Sequence, residues 1–300
     1  MARTNTWVNI GTETKANNIN DVLKESGLDY NVVTRPLTTT FNDKEILVPG
    51  KVATVNERTG EIIGVVSNKY KICQNEEAFD FVNNVEGVTF ERAGETHTGM
   101  VYVIGKLPEV QVLGDKFTPY LIFQNGHNGI YTVKTTICPL RIVCQNQFNY
   151  AFKNSSNTIS IQHSSQYAAK LAEAEKLITN TARYMQEFGN TAEELAMLKI
   201  GKDDDVNQII NSFFTIAADA TDREVAKIYT QRQELFNAYK ADDNANFEGT
   251  VWGLVNGFSD YLTHRDTKNT KNKDESKFMT VTFDPKMFTA FVNHVQQFAR

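Results

Sequence analysis

The run FTPYLIFQNGHNGIYTVKTTI, residues 117–137, decides the fold. Two β-rich segments, 117–123 and 130–137, flank Gln124-Asn125-Gly126-His127-Asn128-Gly129. Asn and Gly tolerate positive φ, so this connection predicts an antiparallel hairpin with a generous loop. After Ile137 the period changes. Leu140, Val143, Cys144, Phe148 and Ala151 fall at helical spacing, and Pro139 suits a first helical position. The pattern predicts a strand over 130–137 running into a helix over 139–153, with Arg141, Gln145 and Asn149 on its polar face.

Upstream, the same reasoning finds more hairpins and short helices. A helix is expected at about 19–26, capped near Asn18 and closed by Gly27. VATVNERTGEIIGVV, residues 52–66, reads as a hairpin turning at Asn56-Glu57-Arg58-Thr59-Gly60. NEEAFDFVNNV reads as a helix starting at Asn75, with Glu76 and Glu77 favourably placed in its first turn. MVYVIGKL and EVQVL read as strands separated by Pro108.

Downstream, NTISIQH alternates like a short strand, and the chain then becomes helical. Residues 166–188 form a long amphipathic stretch, with Leu171, Ile178, Ala182, Met185 and Phe188 on one face. Thr191 with Glu194, and Thr221 with Glu224, read as capping boxes that open new helices. Asp203-Asp204-Asp205 suits a helix N-terminus. TVWGLVNGFSDYLTH reads as an apolar helix, and Asp284-Pro285 opens the last one. THRDTKNTKNKDESK, residues 263–277, reads as a polar loop. The expected class is α+β: an antiparallel, hairpin-rich core over 1–165 and a helical region over 166–300.

Composition bounds the function. The chain has 300 residues, 41% of them hydrophobic, and a net charge of -5. That is enough apolar material for a core, so whole-chain disorder is excluded. No run approaches the ~18 apolar residues of a membrane helix, and the first twenty residues lack the apolar stretch of a secretory signal. Three cysteines, Cys73, Cys138 and Cys144, make no disulfide framework and fit a reducing cytoplasm. Charge is uneven, however. Between Asp115 and Glu173 there is no acidic residue, while Lys116, Lys134, Arg141, Lys153 and Lys170 give +5. The remainder therefore carries -10.

The motifs of common catalytic chemistry are missing: no P-loop, no GxGxxG, no CxxC, no HExxH, no EF-hand spacing and no GxSxG. The expectation is a protein that is not an enzyme and takes no cofactor or metal. The acid-free stretch supplies what single-stranded nucleic acid requires, cations along a backbone path and flat rings for stacking. Lys134, Arg141 and Lys153 are the expected phosphate contacts, with Lys69, Lys71 and Arg92 as extensions. Tyr131 and Tyr150 are the stacking candidates, and His127 is a further one. Lys69-Tyr70-Lys71 would put two cations on one strand face with a tyrosine opposite.

Several segments recur in order in one family. They include Trp7-Val8-Asn9-Ile10-Gly11, Gly64-Val65-Val66-Ser67-Asn68-Lys69-Tyr70, Asn125-Gly126-His127-Asn128-Gly129 and Leu140-Arg141-Ile142-Val143-Cys144-Gln145-Asn146. Gly249-Thr250-Val251-Trp252 and Asp260-Tyr261-Leu262-Thr263-His264 follow late in the chain. On these the chain resembles the phage/plasmid-like proteins, domain of unknown function 932, over about residues 1–265. It departs from the family's usual Trp-His-Gly-type opening and has Asn128 where Asp is more usual. The outline is also similar to phage single-strand annealing proteins of the RecT and Red-beta type. That resemblance implies a phage-encoded protein that binds single-stranded DNA and anneals strands in recombination. It would act as a homo-oligomer in the bacterial cytoplasm, with no membrane association, alone or with a host or phage recombination protein. The alternative expectation is a phage-encoded protein-binding inhibitor or regulator of host defence, and a third is an enzyme acting on nucleotides or nucleic acid through His and acidic residues that converge only in space.

Overall fold

The computed structural model describes residues 4–150, 156–161, 167–266 and 271–299. After β1 (Thr12–Glu13), α1 (Ile19–Glu25) begins where the sequence places it, because Asn18 Oδ1 accepts the Asp21 N–H at 2.9 Å. β2 (Val32–Phe41) and β3 (Lys44–Asn56) form a long hairpin around Asn42 and Asp43, both at positive φ, as a two-residue turn requires. β4 (Ile62–Ser67) pairs with β3, which gives the expected 52–66 hairpin. α2 (Asn75–Phe79) passes directly into a 3₁₀ turn.

A second, larger antiparallel sheet follows. Its strands are β5 (Thr89–Glu95), β6 (Met100–Lys106), β7 (Val110–Val112), β8 (Asp115–Gly126), β9 (Lys134–Arg141), β10 (Asn146–Gln147) and β11 (Thr158–Ser160). Their order is β1-β5-β6-β8-β9-β10, with β7 beside β8 and β11 beside β9. The helices are α3 (Tyr167–Met197), α4 (Asp203–Phe213), α5 (Asp222–Tyr239), α6 (Val251–His264), α7 (Lys273–Phe283) and α8 (Lys286–Gln296). The α+β class is as expected.

Both faces of the large sheet are covered. On one, Leu121, Phe123 and Ile137 join α1, α2, α3, α6 and α8 in the main core, where Phe148 stacks on Trp252. Strands from the first half and helices from the second thus share one core. On the other face, Met100, Tyr102, Ile122, Cys138 and Leu140 pack under Trp7, Ile10 and Phe278.

Three expectations are corrected. Residues 139–150 are not helical. Strand β9 continues to Arg141, with Pro139 opposite Pro119, and the chain reverses through Gln145 at φ +57° into β10. Leu140 is buried in the smaller core and Phe148 in the main one, so burial on both sides of a tight reversal imitates helical spacing. The Thr191–Glu194 box opens no helix. α3 runs through it, because Ala192 and Leu195 extend the buried stripe of Leu177, Tyr184 and Phe188. By contrast, Thr221 and Glu224 do cap α5. Finally, α7 begins at Lys273, inside the expected polar loop, because Phe278 is drawn into the smaller core against Tyr102. Among the described residues no helix is long and apolar enough to cross a membrane.

Candidate nucleic-acid interface

At the loop end of β8 a buried amide network sets the geometry. Asn125 Nδ2 donates to the Cys73 carbonyl at 3.1 Å and to Asn75 Oδ1 at 3.0 Å. His127 Nε2 donates to the same Asn75 oxygen at 2.9 Å, and Asn75 Nδ2 donates to the Leu28 carbonyl at 2.9 Å. The Tyr70 hydroxyl donates to the Gly126 carbonyl at 3.1 Å. Helix α2, the segment before it and the β8–β9 loop are thereby fixed to one another. The loop approaches so closely that a Cβ on Gly126 would meet Tyr131 Cβ at 2.6 Å, and one on Gly64 would meet Asn128 Cα at 2.7 Å.

Beside this network opens a cleft of about 630 Å³. Tyr70, Lys71, Ile72, Cys73 and Glu77 form one side; Gly126, Tyr131, Thr132, Val133, Ser160 and Ile161 form much of the rest. Tyr131 is half-buried and held by a 2.8 Å bond between its hydroxyl and Thr98 Oγ1. Lys69 is exposed two residues from Lys71, and Lys134 lies opposite Ser160 in the β9–β11 register. Among the described residues no carboxylate forms an ion pair with Lys69, Lys71 or Lys134. Burial raises the Tyr70 hydroxyl above its ordinary pKa, so it stays a neutral donor.

Two of the nominated residues line the cleft, Lys71 and Tyr131; Lys69 is exposed two residues before Lys71, and Lys134 directly follows Val133 of the lining. The lysines at 69 and 71 sit on a turn and extended segment past the end of β4, not on a strand. The others are placed elsewhere. Arg141 is 2% exposed, at the far end of β9 from Lys134. Its guanidinium donates to Asp115 and to the Asp243 carbonyl. The two lie seven positions apart, about 23 Å along a strand, and the odd spacing turns them to opposite faces of the sheet. Lys134 and Arg141 therefore do not share one phosphate path along β9. Arg92 donates to the Ile10 and Gly11 carbonyls and ties down the N-terminal segment. Tyr150 packs edge-on against Phe288 and its carbonyl accepts from Tyr184. His127 is fully buried and so presents no ring for stacking; burial lowers its pKa to about 4. Lys153 lies outside the described residues.

Sequence reasoning missed Tyr70 as a wall of the cleft and Asn75 as the hub of the network. The alternation Lys69-Tyr70-Lys71 carried the first signal; nothing local carried the second. Among the described residues no group of three or more His, Cys, Asp or Glu side chains is placed to hold a metal ion.

Residues 62–281 match the family described as Domain of unknown function (DUF932), more than half of the chain. The protein belongs to that family. No curated protein and no solved structure matches it.

Proposed function

We propose that this protein binds single-stranded DNA and anneals complementary strands in phage-type recombination, without a nucleotide cofactor. One observation supports the reading: Lys71 and Tyr131 line the same cleft, Lys69 lies two residues from Lys71 and Lys134 one from Val133 of the lining, and among the described residues none of the three lysines is paired to a carboxylate. A strand needs cations for its phosphates and a ring for a base, and the cleft offers both within one short span. Its size is that of a small-ligand site, within about 300–1,000 Å³. Each subunit would then grip a short stretch, and a longer strand would require several subunits. The net charge of -5 is compatible with this reading, because binding depends on the local cations at Lys69, Lys71 and Lys134 rather than on the charge of the whole chain.

The test is fluorescence anisotropy of the full chain with a labelled single-stranded oligonucleotide at two salt concentrations, with a duplex control. Salt-sensitive binding that favours the single strand is expected, followed by accelerated pairing when the complement is added. Absence of binding at low salt overturns the reading.

A further inference from the structure

The β2–β3 hairpin runs past the end of β4. β4 pairs with β3 only over Lys51–Val55, so the pairs Thr38–Leu47, Thr39–Ile46, Thr40–Glu45 and Phe41–Lys44 make a two-stranded arm. Every residue from Thr38 to Leu47 is exposed. Cross-strand partners share a face, so Thr39, Phe41, Lys44 and Ile46 lie together on one side. Phe41 is 66% exposed and Ile46 46%. A two-stranded ribbon is marginal in water by itself, and an uncovered apolar edge invites pairing with another surface.

A matching surface exists on the same chain. Between α3 and β7 lies a groove of about 560 Å³ whose lining includes Leu107, Ile178 and Met185. The same lining holds Glu86 and Glu193, both exposed. Among the described residues neither glutamate, nor Lys44 on the arm, has an ion-pair partner. The arm thus offers two apolar side chains and a cation, while the groove offers an apolar lining and two carboxylates.

We propose that the β2–β3 arm of one copy seats its Phe41–Ile46 face in the α3–β7 groove of a second copy, with Lys44 meeting Glu86 and Glu193. The two surfaces differ, so the contact either closes as a reciprocal pair, with each copy's arm in the other's groove, or runs head-to-tail into a ring or filament. The inference stands apart from the nucleic-acid reading: a monomer that binds single strands would overturn this proposal and leave that one in place.

The experiment is sedimentation velocity of the full chain beside Phe41→Asp, together with disulfide trapping. The arm tip contributes nothing to either core, so Phe41→Asp is expected to fold and to sediment as a monomer while the wild type sediments as an oligomer. For trapping, Phe41→Cys is mixed with Ala182→Cys, whose exposed position lines the groove. Cys138 and Cys144 are buried, and burial pushes the Cys73 thiol up to about 12, which keeps the native thiols slow. A cross-linked pair from Phe41→Cys, and none from Thr40→Cys on the opposite face of the arm, is expected. A monomeric wild type, an oligomer that survives Phe41→Asp, or no Phe41→Cys–Ala182→Cys cross-link each overturns the proposal.

Discussion

Arg141 Nη2 lies 2.6 Å from Asp115 Oδ2, with the arginine side chain 2% exposed. The pair joins the last residue of β9 to the first residue of β8, and the same guanidinium reaches the Asp243 carbonyl at 2.7 Å, linking the sheet to the turn before α6. A buried cation held by one carboxylate and one carbonyl has a structural role, and its loss leaves Asp115 and that carbonyl without their donor.

Arg141→Ala should therefore destabilise the fold by about 1–3 kcal/mol, the cost of leaving a buried acceptor without its donor, because the Asp115 left behind is partly solvated. Urea unfolding measures it. Single-strand affinity per folded molecule should stay unchanged; a large drop in affinity with intact stability would return Arg141 to the interface.

Lys71, which lines the cleft, and its neighbours Lys69 and Lys134 should behave otherwise. For single strands each neutralised phosphate contributes about 0.7 to the slope of log affinity against log salt, so Lys69, Lys71 and Lys134 replaced together by Ala should lower that slope by about 2. Tyr131→Leu should weaken binding by about 1–3 kcal/mol, the range for one base stacked on a ring, with the slope unchanged. A triple variant with the wild-type slope would remove this cleft from the path of the strand.

His127 gives a pH signature. Burial lowers its pKa from the ordinary 6.5 to about 4 in the folded protein. Between those values the unfolded chain binds the proton and the folded protein does not, so stability is complete above about pH 6.5 and falls as pH drops towards 4. The full difference is about 3 kcal/mol at 1.36 kcal/mol per pK unit. His127→Gln should lose most of this pH dependence relative to wild type in denaturant titrations at pH 7 and pH 4.5. Equal acid sensitivity in both proteins would place the proton elsewhere.

Phe278 anchors α7 on the smaller core, fully buried with its ring centroid 5.2 Å from that of Tyr102. Phe278→Ala should cost about 3–5 kcal/mol. Hydrogen exchange should show faster opening of α7 and of the strand face beneath it, while the cleft side of the protein keeps its protection. Uniform loss of protection would mean that the two cores unfold as one unit.

Local rules settled a large share of this molecule before any packing was known. Asn18 caps α1, Thr221 and Glu224 cap α5, and the 52–66 and 117–137 segments pair as hairpins, because caps and turns are satisfied by neighbours a few residues away. The cleft was partly legible for a similar reason: Lys69 and Lys71 sit just past the 52–66 hairpin and Tyr131 and Lys134 just past the 124–129 turn, although only the fold brings these two stretches together. Tertiary structure decided what those rules leave open. Buried on both faces, β9 and β10 lose the alternation that marks a strand, so the course of residues 139–148 depends on which core receives Leu140 and which receives Phe148. That choice sets Arg141 on the face opposite Lys134 and turns an expected phosphate contact into an internal ion pair. Likewise Thr191 could open a helix in isolation, but the buried Ala192 and Leu195 carry α3 past it, because burying a continuous stripe outweighs a single cap.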